Sequence, residues 1–200
     1  RNSVHKQIGA NYRAEYDGGS EFALKTSYSE IALNVDTPAV LPGLRDPFGL
    51  PAIRSDNHYE ATIVSMSYLS KQVHNLRVLG GLNYERSSGK SDGLIDIGFE
   101  LPASFVLRRE QWGAFTEVVW RPTKQIAVSG GGRVERFQSN EVFTPQLNVE
   151  YTSLNERHTV MLNWGEGFKL PSFYALGNPL VGNPELKNET SNSLEFRYSF

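Results

Sequence analysis

The feature that most limits what this chain can fold into is its period. Apolar and polar residues alternate at every second position along most of it, and no helix-length window shows a convincing period near 3.6. Val4, Ile8, Ala10, Tyr12, Ala14 and Tyr16 share one parity, and His5, Gln7, Asn11, Arg13 and Glu15 the other. Asp17-Gly18-Gly19-Ser20 then reads as a hairpin turn, because glycine takes positive φ without steric cost. The return stretch carries Phe22, Leu24 and Tyr28 on one parity, then Ile31, Leu33 and Val35 on the other. That shift near Glu30 predicts a β-bulge.

Nine strands are expected in all. A third runs from about Tyr59 to Ser70, and a fourth sets Leu76, Val78, Leu82 and Tyr84 against Arg77, Asn83 and Glu85. Trp112, Ala114, Thr116, Val118 and Trp120 alternate with Gln111 and Glu117 in the next, and "IAVSGGGRVERF" follows a turn at 121–125. Leu147, Val149 and Tyr151, then Val160, Leu162 and Trp164, then Leu194, Phe196, Tyr198 and Phe200 mark the last three. Their connections alternate. Residues 17–20, 71–75, 122–125 and 153–156 are short turns. Residues 36–56, 87–107 and 167–190 read as long loops, and 139–143 as a medium one. Several strands reach ten residues or more, against about 5–6 in an average globular strand.

Such alternation fits two environments. In a soluble two-layer sandwich the apolar parity packs inward. In a transmembrane barrel it faces lipid, each strand needing about 9–11 residues, with short turns on one side and long loops on the other. The aromatic residues favour the second. Tyr16, Tyr68, Trp120 and Tyr151 stand beside short turns, and Tyr84, Trp112 and Trp164 near long loops, as two interfacial girdles require. Arg13, Glu117, Arg133, Glu135, Glu150 and Arg197 all fall on the opposite parity, away from lipid. The expectation is an all-β, antiparallel up-and-down barrel wall, its short turns periplasmic and its long loops extracellular.

Composition narrows the chemistry. A net charge of −2 over 200 residues gives no electrostatic footprint for nucleic acid, and without cysteine there is neither a disulfide framework nor a thiolate metal site. The four histidines, His5, His58, His74 and His158, form no i,i+4 pair, so no metal site is expected. A Ser–His arrangement such as Ser172 with His158 has nothing to fix its geometry, so no catalytic residue and no cofactor is assigned. The glycines of Ser129-Gly130-Gly131-Gly132-Arg133 lie inside a strand pattern and read as close packing, not as a phosphate cradle.

From Trp112 onward the motifs carry a resemblance. "WRPTKQIAVSGGGRVERF", "TPQLNVEYT" and above all "NWGEGFKLPSFYALGNPLVGNPELKNETSNSLEF" resemble the barrel of TonB-dependent outer-membrane receptors. The pattern departs once, with Asn188 where the family has a proline before Glu-Thr. Residues 1–111 fit the same architecture by alternation alone. The resemblance implies a larger, 22-stranded barrel in the outer membrane of a Gram-negative bacterium, filled by a plug domain and coupled through an N-terminal segment to TonB. Residues 1–200 are then part of one barrel domain, with the plug and remaining strands absent. It further implies a receptor for a scarce ligand such as a ferric siderophore, haem or a cobalamin. Phe48, Arg54, Phe173 and Tyr174, on the expected extracellular loops, are candidate ligand contacts, since aromatic rings and arginine suit a large polar chelate. Two other readings stay open: a complete small outer-membrane barrel ending at Phe200, structural or adhesive, and a soluble β-sandwich binding module.

Overall fold

The computed structural model describes residues 2–43, 49, 51–138 and 140–200. These form ten strands and one short helix. The strands are β1 (Asn2–Tyr16), β2 (Ser20–Thr37), β3 (Ala52–Leu69), β4 (Leu76–Asp96), β5 (Glu100–Pro102), β6 (Phe105–Trp120), β7 (Ile126–Phe137), β8 (Asn140–Thr152), β9 (Thr159–Lys169) and β10 (Glu189–Ser199); helix α1 (Phe173–Gly177) precedes the last. They make a single antiparallel sheet in the order β1-β2-β3-β4-β6-β7-β8-β9-β10, with β5 paired to β4 beyond the end of β6. Among the described residues there is no second sheet, so the two-layer sandwich has no counterpart. The sheet is open, as part of a barrel wall.

The register assigns the faces. Tyr12 pairs with Leu24, Leu24 with Met66 and Met66 with Leu82; Leu82 then pairs with Ala114 and Ala114 with Val134. Parity changes across the β7–β8 and β8–β9 pairs, so Val128 meets Val149 and Val149 meets Leu162; Leu162 meets Phe196. One face therefore carries an unbroken apolar belt, with no charged residue on that face from Leu76 to Tyr84 or from Trp112 to Trp120. Its side chains are exposed, Ile8, Trp112, Leu194 and Phe196 most of all. A continuous apolar surface of this extent does not stand in water. From Leu76↔Trp120 to Tyr84↔Trp112 is eight residue steps, which at about 3.3 Å each and a tilt near 45° rise about 19 Å between Cα rows. With the girdle rings at either end, this matches an apolar band about 25 Å tall. Tyr84 and Trp112, registered partners, pack their rings 4.4 Å apart at the upper rim.

The other face is mostly polar at the level of the belt, and several of its charges are paired. Arg13 meets Glu21 at 3.0 Å and Arg197 meets Glu195 at 2.9 Å. Glu135, 1% exposed, is ion-paired with Arg133 and accepts a hydrogen bond from Gln111 Nε2 at 2.8 Å. Arg133 Nη2 also donates to Asn83 Oδ1 at 2.8 Å. Gly113 opens the space for this cluster, because a Cβ there would overlap Asn83 Oδ1 and Glu135 Oε1. At the short-turn end Arg77 ties two turns together, donating to Gly19 O at 2.6 Å and to Ser70 O at 3.2 Å.

Three expectations are corrected. The bulge near Glu30 does not exist: β2 stays in step with β1 from Asn2↔Asn34 to Tyr16↔Ser20, and with β3 from Glu21↔Leu69 to Thr37↔Ile53. Ile31, Leu33 and Val35 hence lie on the inner face, where Phe22 and Leu24 do not. The long connections are also shorter than expected. Most of 87–107 is strand, because Ser87–Ser91 of β4 bonds to β3 on one side and to β6 on the other. A backbone paired on both sides stays in the sheet whatever its side chains. The break at 139–143 shrinks likewise, since Asn140 already pairs with Phe137. The glycines of 130–132 do lie within β7, where a Cβ on Gly131 would collide with the backbone of Thr116 and Glu117.

Candidate functional site

Beyond the belt, on the long-loop side, β2, β3, β4 and β6 continue upward and enclose a concave surface. The segment 170–188 folds down onto it. This segment is rich in Asn-Pro pairs, and the asparagines order it. Ser172 caps α1, its Oγ accepting from Ala175 N–H at 3.1 Å. Asn178 Oδ1 accepts from Leu180 N–H at 2.9 Å and Val181 N–H at 3.1 Å, and Asn183 Oδ1 from Glu185 N–H at 2.9 Å. Asn183 N–H donates to Ala175 O at 2.7 Å and closes the loop on itself. Each asparagine side chain thus imitates a turn that the following proline cannot supply with an N–H.

Phe173 fixes the loop to the wall. Its ring lies against Gly89, where a Cβ would come within 2.6 Å of it. Arg109 reaches over the ring, its guanidinium carbon 4.8 Å from the centroid, and Arg109 Nη2 donates to Pro171 O at 2.7 Å. Tyr59 approaches Phe173 at 6.1 Å, and Tyr174 meets Phe105 edge-on at 6.4 Å. Arg109 stands above the belt and is half-buried. Burial lowers its proton affinity from the ordinary arginine value while nearby Glu85 and Tyr59 raise it, and the group stays a cation.

Beneath Phe173 and Tyr174 is a cavity of about 680 Å³, whose walls include Ile31, Leu33, Val35, Ile53, Tyr59, Phe105 and Arg109. A second hollow of about 630 Å³ lies on the other side of the loop, against Leu107, Phe137 and Leu186, with Arg109 and Pro171 shared between the two. The arrangement offers aromatic faces, an aliphatic wall and the Arg109 cation, oriented by Phe173 and Pro171. Among the described residues no group of three or more His, Asp or Glu could hold a metal ion.

Of the sequence candidates, Phe173 and Tyr174 come together at this cavity. Arg54 lies on the outer face of β3, 76% exposed and 3.7 Å from Asp36, apart from them. Phe48 falls outside the described residues. Arg109, Tyr59, Phe105 and the aliphatic wall were not singled out in the sequence. The signal for the wall was the parity change after Glu30, which marks apolar side chains turned inward.

The family model for the TonB dependent receptor-like β-barrel matches residues 1–200. The chain belongs to this family. Its barrels are receptors and transporters of the Gram-negative outer membrane, not an enzyme family. Among solved structures, the copper transporter OprC aligns with a TM-score of 0.74 at 13% identity, covering 97% of this chain and 36% of that one. A chain of the FpvAI–pyocin S2 complex aligns with a TM-score of 0.76 at 13% identity, covering 97% of this chain and 30% of that one. At that identity the likeness is one of fold, and this TonB-dependent receptor barrel chain spans about a third of the length of either. No curated protein matches it.

One consequence of the packing is directly measurable. Gly89→Val is expected to expel Phe173 and free the segment 170–188 while leaving the sheet intact. In the full-length receptor, limited proteolysis should cut within 170–188 several-fold faster than in the parent, with an unchanged heat-modifiable band on gels. An unchanged cleavage rate would show that Phe173 does not hold the loop.

Proposed function

We propose that residues 1–200 form part of the barrel wall of a TonB-dependent outer-membrane receptor, and that the cavity under Phe173 and Tyr174 is a ligand-contacting surface at its extracellular mouth. The plug, the remaining strands and the TonB-contacting segment belong to the rest of the protein in this reading. The observation that supports it is the packing of the ordered loop 170–188, through Phe173 and Arg109, over an inner-wall cavity of aromatic and aliphatic side chains. Aromatic residues and arginine are the side chains that most often dominate binding energy. The cargo in this reading is a scarce chelate of the ferric siderophore, haem or cobalamin kind. The aliphatic wall at Ile31, Leu33, Val35 and Ile53 favours one with an apolar face.

The test uses the full-length receptor in cells stripped of their own uptake receptors. Four probes are supplied separately: a ferric catecholate, a ferric hydroxamate, haemin and cyanocobalamin. One of them is expected to be taken up in a TonB-dependent way. Phe173→Ala and Arg109→Ala should each lower uptake of that probe at sub-saturating concentration about tenfold, equivalent to about 1.4 kcal/mol. Uptake of a probe that neither substitution alters would remove the cavity from the ligand's path. Uptake of none of the four would remove this class of cargo.

A further inference from the structure

The wall has a step in it. β6 reaches up to Phe105, whereas its neighbour β7 ends at Phe137, in register with Gln111. Gln138 then takes a left-handed φ of 53°, and the chain returns at once as β8, with Asn140 pairing to Phe137. Residues 105–110 are therefore in register with β4 alone, and among the described residues no backbone hydrogen bond reaches them from a loop. Every second residue of an antiparallel strand turns its N–H and C=O to the same side, so the step exposes a row of unmatched donors and acceptors. It lies in the middle of the sheet, away from β1 and β10, the two edges at which a barrel wall continues.

The surroundings of this edge differ on its two faces. On the inner side, the hollow of about 630 Å³ begins at Leu107 and is walled further by Phe137, Leu170, Leu176 and Leu186. On the outer side, a cleft of about 730 Å³ is bordered by Arg108, Glu110, Trp112, Arg136 and Gln138. Glu110 is engaged with Arg86 at 3.7 Å. Arg108 and Arg136 are exposed, and among the described residues neither side chain makes an ion pair or a hydrogen bond. The edge begins two residues above Trp112 and ends seven above it, about 5 to 16 Å higher at about 3.3 Å per residue and a tilt near 45°. With a headgroup layer of about 5–8 Å, the upper half of the edge stands in water on the extracellular side in the proposed orientation.

We propose that residues 105–110 are a docking edge for an extended acidic segment of an extracellular protein, which adds to β6 as a further strand in the step above β7. Strand addition draws affinity from main-chain hydrogen bonds and specificity from the side chains at alternate positions. Here the inner parity of the added strand enters the hollow at Leu107 and must be apolar. Its outer parity lies opposite Arg108 and must be acidic, because opposite charges directly across a strand pair attract and like charges repel. Arg136, at the foot of the step, adds to the same preference. A basic segment meets two unmatched guanidiniums, and an all-polar one leaves the hollow unfilled.

The experiment takes the purified full-length receptor in detergent and follows short fluorescent peptides by polarisation. The principal probe alternates glutamate with valine. One comparison alternates lysine with valine, and another holds the same glutamates and valines in two separate blocks. Two more are the principal probe N-methylated at every valine or at every glutamate. The principal probe is expected to bind at least tenfold tighter than the lysine and block peptides, and at least one N-methylated form should lose binding. Hydrogen exchange should show its protection at the amides of 105–110. Arg108→Glu/Arg136→Glu, checked for folding by its heat-modifiable band, should reverse the preference in favour of the lysine peptide. A block peptide that binds as tightly overturns the edge in favour of plain charge attraction. Tight binding of both N-methylated forms overturns it too, since no backbone pairing is then used. Protection confined to other segments, an unreversed preference in the variant, or binding by none of the peptides likewise removes the docking edge.

Discussion

Leu162→Arg is expected to cripple assembly of the full-length receptor, while Met161→Arg, one residue away, is tolerated. Leu162 lies within the apolar belt between Val149 and Phe196, and Met161 points to the polar face between Glu150 and Arg197. An arginine turned to lipid costs about 2–4 kcal/mol near the midplane, and the cost fades toward the interfaces. At position 161 the same guanidinium has water, and Glu150 as a neighbour. The measurement is the denaturant midpoint for folding into lipid vesicles. A clear downward shift for the first variant and little for the second is the expected pair. Equal shifts would mean that the two faces have been assigned wrongly, and a reversed order would mean that the sheet is inside out.

The second large effect lies in the wall's polar cluster. Glu135→Leu should destabilise the barrel by about 3 kcal/mol, because Arg133 then loses its carboxylate while Gln111 loses an acceptor. That figure sits at the lower end for broken buried pairs because Arg133 is 40% exposed and can regain water. The double variant Arg133→Met/Glu135→Leu should be less unstable than Glu135→Leu alone, since no unpaired charge remains. If the double variant loses the sum of the two single effects, the pair is not coupled and the cluster is only a set of separate contacts.

These two residues show what the sequence made legible. Leu162 and Glu135 were assigned to opposite faces by alternation, and the register agrees, because a belt in lipid tolerates no charge and so keeps a strict period. Above the belt that pressure vanishes. Ser87, Ser88, Gly89, Lys90 and Ser91 have no apolar parity to display, yet both neighbouring strands hold them in the sheet. A reading based on side chains takes them for loop, since the backbone bonds that decide the matter come from residues far away in sequence. The same cause hid the inner wall. Ile31, Leu33 and Val35 imitate a slipped strand, whereas they are an unslipped strand whose apolar residues have changed sides. Phe173 and Tyr174 were legible because their motif is local. Arg109 was not, because its partners Pro171 and Phe173 lie more than sixty residues downstream.

The overshoot of the strands also sets how the mouth meets the outside. From Tyr84 at the upper rim to Asp96 at the end of β4 is twelve residue steps, or about 28 Å of height at about 3.3 Å each and a tilt near 45°. Charges on a membrane surface are felt over a screening distance of about 8 Å at physiological ionic strength. Less the headgroup layer of about 5–8 Å above that rim, the opening stands about 20–23 Å above the headgroups, between two and three such distances. In the proposed orientation, an anionic solute reaches the rim with the bilayer's repulsion largely screened, and the charges of the collar itself govern its approach. Association with the receptor should then depend on salt through those local charges, and hardly at all on the anionic content of the surrounding leaflet.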